Sequence, residues 1–188
     1  MKDFTQMHAN QENIFHTPVW GFMFNDSHYQ AMDYRDYVIE LAQTQMSAQK
    51  SNFGGWQSED DLHTHPIFRE FCGSLLKTME SITCMYTNKK VQIQSMWANI
   101  NDKYNYNAHH THEGILSGVF YLHVPENSGR LILVDPAVRN HNSVIKNSNY
   151  GIKPERLACI VFPSWLEHYV EPNQSDEYRI SISFNIGE

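Results

Sequence analysis

No stretch of the chain stays apolar for the roughly 20 residues that a membrane-spanning helix needs. The N-terminal MKDFTQMHANQENIF lacks the continuous apolar region of a secretory signal. Runs of Lys or Arg are missing too. With 14 basic and 21 acidic side chains the formal net charge is -7, which leaves no patch to draw a nucleic-acid backbone or an anionic lipid surface. Cysteine is scarce: Cys72, Cys84 and Cys159 are odd in number and widely spaced, which excludes a disulfide framework and a thiolate zinc pattern. They read as buried thiols in a reducing cytoplasm. Internal repeats, low-complexity tracts and Pro/Ser-rich linkers are also absent, and 188 residues suit one domain of ordinary size. The expectation is a soluble, cytoplasmic, single domain over 1–188 with no nucleic-acid or membrane partner; a homodimer stays open.

Histidine, at 11 residues, and aromatic side chains, at 13%, are the abundant oddities, since both are costly to keep unless they pack, bind metal or contact a ligand. In the first half the signals are helical. Asn25, Asp26 and Ser27 offer N-caps, and Tyr34, Tyr37, Val38 and Leu41 recur at helical spacing, predicting an amphipathic helix over 28–46. After the turn-like SNFGGWQS, Thr64 is placed to cap a second helix with Pro66 in its first turn. Ile67, Phe71, Leu75, Met79 and Ile82 then follow on one face. From residue 90 the period changes to two or to short apolar runs, in VQIQSMWANIN, GVFYLHV, GRLILVD, RLACIVFP and YRISISFNI, all read as strands. Helices first and strands second argue against a doubly wound fold, which would alternate them. They predict a helical buttress over 1–89 and a mainly β, jelly-roll core over 90–188.

The densest polar cluster in the strand half is AHHTHEG. His110 and His112 are two apart, so on an extended strand they share a face and could share a metal. Exposed loop histidines would give the same pattern, and a second pair, His63 and His65, stands before Pro66 at a helix start and reads as structural. What sets the first pair apart is FPSWLEHYVEPN, where the apolar run ACIVF ends at Pro163 and a short turn delivers His168 as a third imidazole. Three imidazoles suit iron, copper, nickel or zinc alike. The last strand narrows the choice. Arg179, Ser181, Ser183 and Asn185 occupy one face of YRISISFNI and Ile180, Ile182, Phe184 and Ile186 the other. Arg179 on the polar face suits a carboxylate-bearing ligand, the rival reading being a salt bridge to Asp176, Glu177 or an acid on another strand. Trp165 is expected to pack at the barrel mouth.

Several stretches occur in the order shown by a known family: IFHTPVW, SNFGGWQS, WANIN, HHTHEGILSGVFYLHVPENSGRLILVDP, FPSWLEHYVEP and RISISFNI. Nearly the whole chain resembles that family, the 2-oxoglutarate/iron(II) oxygenases of bacteria and phages related to prolyl hydroxylases. The resemblance implies a double-stranded β-helix that uses Fe(II), 2-oxoglutarate and O2 to hydroxylate a C–H bond. The substrates it suggests are a prolyl or other amino-acyl residue of a protein or peptide, or a small molecule. It also implies that His168 is the distal metal ligand and that Arg179, in an Arg-x-Ser element with Ser181, binds the far carboxylate of 2-oxoglutarate.

The chain departs from the wider superfamily in one respect. Where His-x-Asp or His-x-Glu is usual, His112 stands two after His110. Three arrangements compete: a set of three histidines, a set in which His112 comes first and Gly114 leaves room for water or halide, and a set completed by Glu113 or Asp135. Asn99 and Asn101 alternate on one strand face, and Tyr104, Tyr106 and Tyr121 offer hydroxyls; of these, Asn99 and Tyr121 join Arg179 and Ser181 as candidate cosubstrate contacts. Two other functions stay open on the sequence: a cupin-type three-histidine dioxygenase that does not use 2-oxoglutarate, and a non-catalytic jelly-roll ligand-binding module.

Overall fold

The computed structural model describes residues 16–24, 28–84, 88–136 and 149–188, so the N-caps expected at Asn25, Asp26 and Ser27 lie outside the described residues. In chain order the elements are β1 Trp20–Met23, α1 His28–Thr44, β2 Asn52–Phe53, β3 Trp56–Gln57, α2 Arg69–Thr83, β4 Gln92–Asn101, β5 Tyr106–His110, β6 Leu116–His123, β7 Leu131–Val134, β8 Asn149–Ile152, β9 Ala158–Pro163, β10 His168–Val170 and β11 Arg179–Gly187. The strands form two antiparallel sheets. One runs β1-β9-β6-β11-β4-β3 and the other β2-β5-β10-β7-β8. This is the jelly-roll, double-stranded β-helix arrangement.

Strand β11 is the centre of the larger sheet, paired along its length with β4 and β6. Because side chains alternate across a strand, Ile180, Ile182, Phe184 and Ile186 all face one way, and all four are fully buried. Met96 and Ala98 from β4, and Phe120 and Leu122 from β6, join them. Both helices close over this face: Ala31, Tyr34, Val38 and Leu41 come from α1, and Phe71, Leu75, Met79 and Ile82 from α2. The opposite face of the same three strands is polar and looks toward the smaller sheet. At Gly118 the Phe184 ring crosses the backbone, and a Cβ there would also lie 2.9 Å from the Ile160 carbonyl oxygen.

Four local expectations change. The first half is not helix alone, since β1 and β3 join the larger sheet and β2 the smaller one. Thr64 does not cap α2: it ends a short 3-10 turn, Leu62–Thr64, and His65 and Pro66 open a second turn that runs into the helix. His65 Nδ1 lies 2.5 Å from the Tyr37 hydroxyl, which ties this turn to α1. Cys72 and Cys159 are buried, but Cys84 is exposed at the end of α2. Trp165 does not pack at the mouth either, being 56% exposed.

Gly118→Ala should destabilise the fold by about 1–3 kcal/mol, the usual cost of overpacking a filled core. Urea unfolding checks this; a midpoint equal to the parent's would mean that the Phe184 ring shifts without strain.

Candidate functional site

Strand β10 lies between β5 and β7, and its register sets His168 directly opposite His110. The β5 strand ends at His110, so His112 is not on a regular strand as its spacing suggested; its backbone N–H is held by the Ser164 carbonyl at 2.9 Å. The three imidazoles nevertheless converge. Their ligand nitrogens lie within 4.8 Å of one another, and ring centroids are 4.3 Å apart for His110 and His168 and 4.7 Å for His110 and His112.

Two backbone carbonyls orient the rings. His110 Nδ1 is 2.6 Å from the Ala108 oxygen, and His168 Nδ1 is 2.9 Å from the Leu166 oxygen. A carbonyl only accepts, so each Nδ1 carries the proton and each Nε2 keeps its lone pair, the tautomer a metal ligand needs. Trp97 packs against His112 and Phe162 against His168, with ring centroids 5.4 Å and 4.7 Å away. Burial pushes all three imidazoles below their ordinary value, His112 to about 4 and His168 to about 3, and each ring's neighbours oppose a second charge. They are therefore neutral near pH 7 and ready to donate to a cation.

A cavity of about 530 Å³, counting its open mouth, extends from these rings to Arg179. Its floor is the polar face of the larger sheet: Asn99 on β4, Tyr121 on β6, and Arg179, Ser181 and Ser183 on β11. Register places Ser181 between Asn99 and Tyr121. Arg179 is only 2% exposed. Its Nη1 donates to the Ser128 carbonyl at 2.6 Å and the Gly129 carbonyl at 3.4 Å, and its Nη2 to Asn101 Oδ1 at 3.0 Å.

The salt bridge that rivalled a ligand at Arg179 does not form. Asp176 pairs with Lys103 and Glu177 with His123. Three of the five guanidinium N–H groups are engaged, all by neutral oxygens, and Nε is buried without a partner, as is Asn99 Oδ1. An uncompensated buried cation is costly, and burial does lower the Arg179 guanidinium below its usual value, though not enough for such a group to lose its charge at neutral pH. Tyr121 is pushed up to about 12 by burial, against the pull of Arg179, so its hydroxyl stays protonated. The donor set fits a small dianion well: a bare guanidinium edge, a hydroxyl and an amide at one end, and a metal-ready cluster at the other.

Of the residues weighed as metal ligands from the sequence, only His110, His112 and His168 gather among the described residues. Glu113 is exposed in a separate pocket beside His112, and Asp135 lines another cavity with Pro136 and Tyr150. Gly114 has φ +100°, and a Cβ there would lie 2.8 Å from the Ile186 carbonyl oxygen, so glycine meets a backbone requirement. Asn99, Tyr121 and Ser181 line the cavity with Arg179, whereas Tyr104 is exposed and Tyr106 stacks on Phe53. Sequence reasoning missed Asn107, which accepts from Asn101 at 3.4 Å and helps hold Arg179's partner. It also missed Ala108 and Leu166, which act through backbone carbonyls and leave no side-chain signature.

The buried imidazoles make the metal-free fold sensitive to acid. Above about pH 6.5 they are neutral in both folded and unfolded chains; below it the unfolded chain takes up protons that the folded one resists, so stability falls with pH. The melting temperature of metal-free protein should drop between about pH 7 and about pH 5, with a shallower slope in His168→Gln. Equal slopes in the two proteins would contradict the burial effect at His168.

Residues 95–185 match the profile of the family described as "Putative 2OG-Fe(II) oxygenase". No curated protein matches the chain in sequence. Among solved structures, the chain is similar to the non-heme alpha ketoglutarate dependent epimerase SnoN from nogalamycin biosynthesis, with 12% identity and a TM-score of 0.71, over 92% of this chain and 79% of that one. It is similar to a Pseudomonas putida prolyl-4-hydroxylase at 12% identity and a TM-score of 0.66, over 90% and 92%. A third likeness is to the viral collagen prolyl hydroxylase of Paramecium Bursaria Chlorella virus-1, solved with 2OG, at 15% identity and a TM-score of 0.63, over 89% and 94%. At such identities the structural likeness is one of fold. The profile match covers just under half of the chain, and that half holds His110, His112, His168 and Arg179. Through it, this strand-rich part of the chain is similar to the 2OG-Fe(II) oxygenases.

Proposed function

We propose that the protein hydroxylates a C–H bond at the expense of 2-oxoglutarate and O2, with iron(II) held by His110, His112 and His168. The observation that carries this reading is Arg179: a buried guanidinium with no carboxylate partner among the described residues and an unpartnered Nε, lining the same cavity as the three imidazoles. A cupin-type dioxygenase would need the histidines but no such anchor. A ligand-binding module would need neither three converging imidazoles, two of them with Nε2 held free, nor a buried cation without a carboxylate partner.

Each residue has a defined task. His110 and His168, locked by the Ala108 and Leu166 carbonyls, present Nε2 without having to rotate, and such backbone partners raise the basicity of a ligand. Arg179 takes the distal carboxylate, its orientation set by Ser128, Gly129 and Asn101, while Ser181, Tyr121 and Asn99 offer hydrogen bonds alongside. Val119, Leu131 and Phe162 line the cavity as well and keep water from its apolar wall. Bound iron and 2-oxoglutarate supply the oxidising chemistry; the protein supplies orientation and exclusion of water. The substrate we favour is an amino-acyl residue, prolyl or another, in keeping with the prolyl hydroxylases among the similar structures. We place the enzyme in the cytoplasm, and no helix among the described residues is long and apolar enough to cross a membrane.

Adding 2-oxoglutarate to the anaerobic iron(II) protein should produce a metal-to-ligand absorption band. Arg179→Ala should raise the 2-oxoglutarate concentration needed by about 10- to 100-fold, since a hydrogen bond to a charged group contributes about 1.5–3 kcal/mol. Absence of the band, together with a variant that behaves as the parent, overturns the cosubstrate assignment and favours the cupin-type reading.

A further inference from the structure

His112 also lines a second cavity, of about 1040 Å³ counting its open mouth, whose wall includes Gln94, Ser95, Thr111, Glu113 and Asn185. Three features show that this wall is built rather than incidental. First, the β4–β11 register slips between Asn185 and Ile186, which pair with Ser95 and Ile93, so Gln94 is an extra, bulged residue. Bulges beside active sites re-aim a side chain. Second, Gln94 lies against Gly114 and Gly187, where any Cβ would collide with it. Glycine at both positions makes room for the amide.

Third, a hydrogen-bonded row runs across β6, β11 and β4 with a fixed direction. Ser117 Oγ is 2.9 Å from Ser164 Oγ and 2.7 Å from Asn185 Oδ1. The Asn185 carbonyl can only accept, so Ser117 gives it its single proton and Ser164 donates to Ser117. Asn185 Nδ2 donates to Ser95 Oγ at 3.0 Å, leaving the Ser95 proton available at the cavity wall. At the other end, the Ser164 carbonyl holds the His112 backbone. The row thus ties the second cavity to the metal-ready cluster.

The wall's charge is one-sided. Among the described residues, Glu113 is its only carboxylate, no Lys or Arg lines it, and Glu113 has no ion-pair partner. Building on the oxygenase reading above, we propose that this cavity receives the part of the substrate next to the oxidised carbon and selects a cationic, amine-bearing amino-acyl group. Glu113 pairs with the ammonium. Gln94 and the Ser95 hydroxyl hydrogen-bond the neighbouring amide, and an acidic side chain meets only like charge.

The test uses the full chain loaded anaerobically with iron(II) and 2-oxoglutarate, and four probes: the N-acetyl methylamides of lysine, norleucine, proline and glutamate. Binding and nearness to the metal are read from the paramagnetic broadening of probe protons by NMR. The lysine probe should bind about fivefold tighter than the norleucine probe, as expected for a partly exposed ion pair, with the glutamate probe weakest. Glu113→Gln should bring lysine and norleucine within about twofold, and Ser95→Ala should weaken both by about threefold. Equal binding of all probes, a preference for proline or glutamate, or a lysine preference that survives Glu113→Gln overturns the proposal. Failure of the oxygenase reading looks different: no 2-oxoglutarate band forms, while the lysine preference remains measurable on the metal-free chain by its shift in melting temperature.

Discussion

The constraint on which the rest depends is the two-residue period of β11. A strand paired on both edges exposes only its two faces, and β11 divides them completely: Ile180, Ile182, Phe184 and Ile186 hold the helices on one side, while Arg179, Ser181 and Ser183 line the cavity on the other. Slipping the strand by one residue would bury a guanidinium among phenylalanines and send four apolar side chains into the cavity. Fold stability and site geometry are therefore set by the same register, which explains why the site's most buried cation sits on the best-packed strand.

The smaller sheet makes the complementary contribution. It is short-stranded and holds little apolar core beyond Leu131 and Leu133, which pack with Phe162 and Leu166, but it brings His110 and His168 face to face. Desolvation of the imidazoles and of Arg179 costs stability, and the helix-covered face of the larger sheet offsets that cost. The molecule is in this sense asymmetric. One sheet carries the core and Arg179, and the other positions His110 and His168.

A three-histidine cluster has consequences for charge. Without the usual carboxylate, the rings bring no negative charge of their own, and the adjacent acid, Glu113, faces outward into a polar cavity. On the reading proposed above, this acid, one residue along from His112, is where a charge can act on a substrate. With both proposals taken together, metal binding falls to neutral donors and selectivity to an exposed acid, so that each can be altered separately.

Much of this was legible in the sequence because it depends on short-range periodicity. The alternation in YRISISFNI, the helical spacing of Val38 and Leu41 and of Leu75, Met79 and Ile82, and the order His110, His112, His168, Arg179 are all properties of the chain read residue by residue. Tertiary structure alone decided the rest. That β1, β2 and β3 join the sheets depends on distant strands offering free edges, since a two-residue strand such as Asn52–Phe53 has no periodicity of its own. The choice of Nδ1 partners for His110 and His168 rests on backbone carbonyls, which every residue possesses. Whether Arg179 would be neutralised by Asp176 or left bare for a ligand was a matter of which cation lies within reach of that acid in space, and no local pattern encodes that Lys103 does.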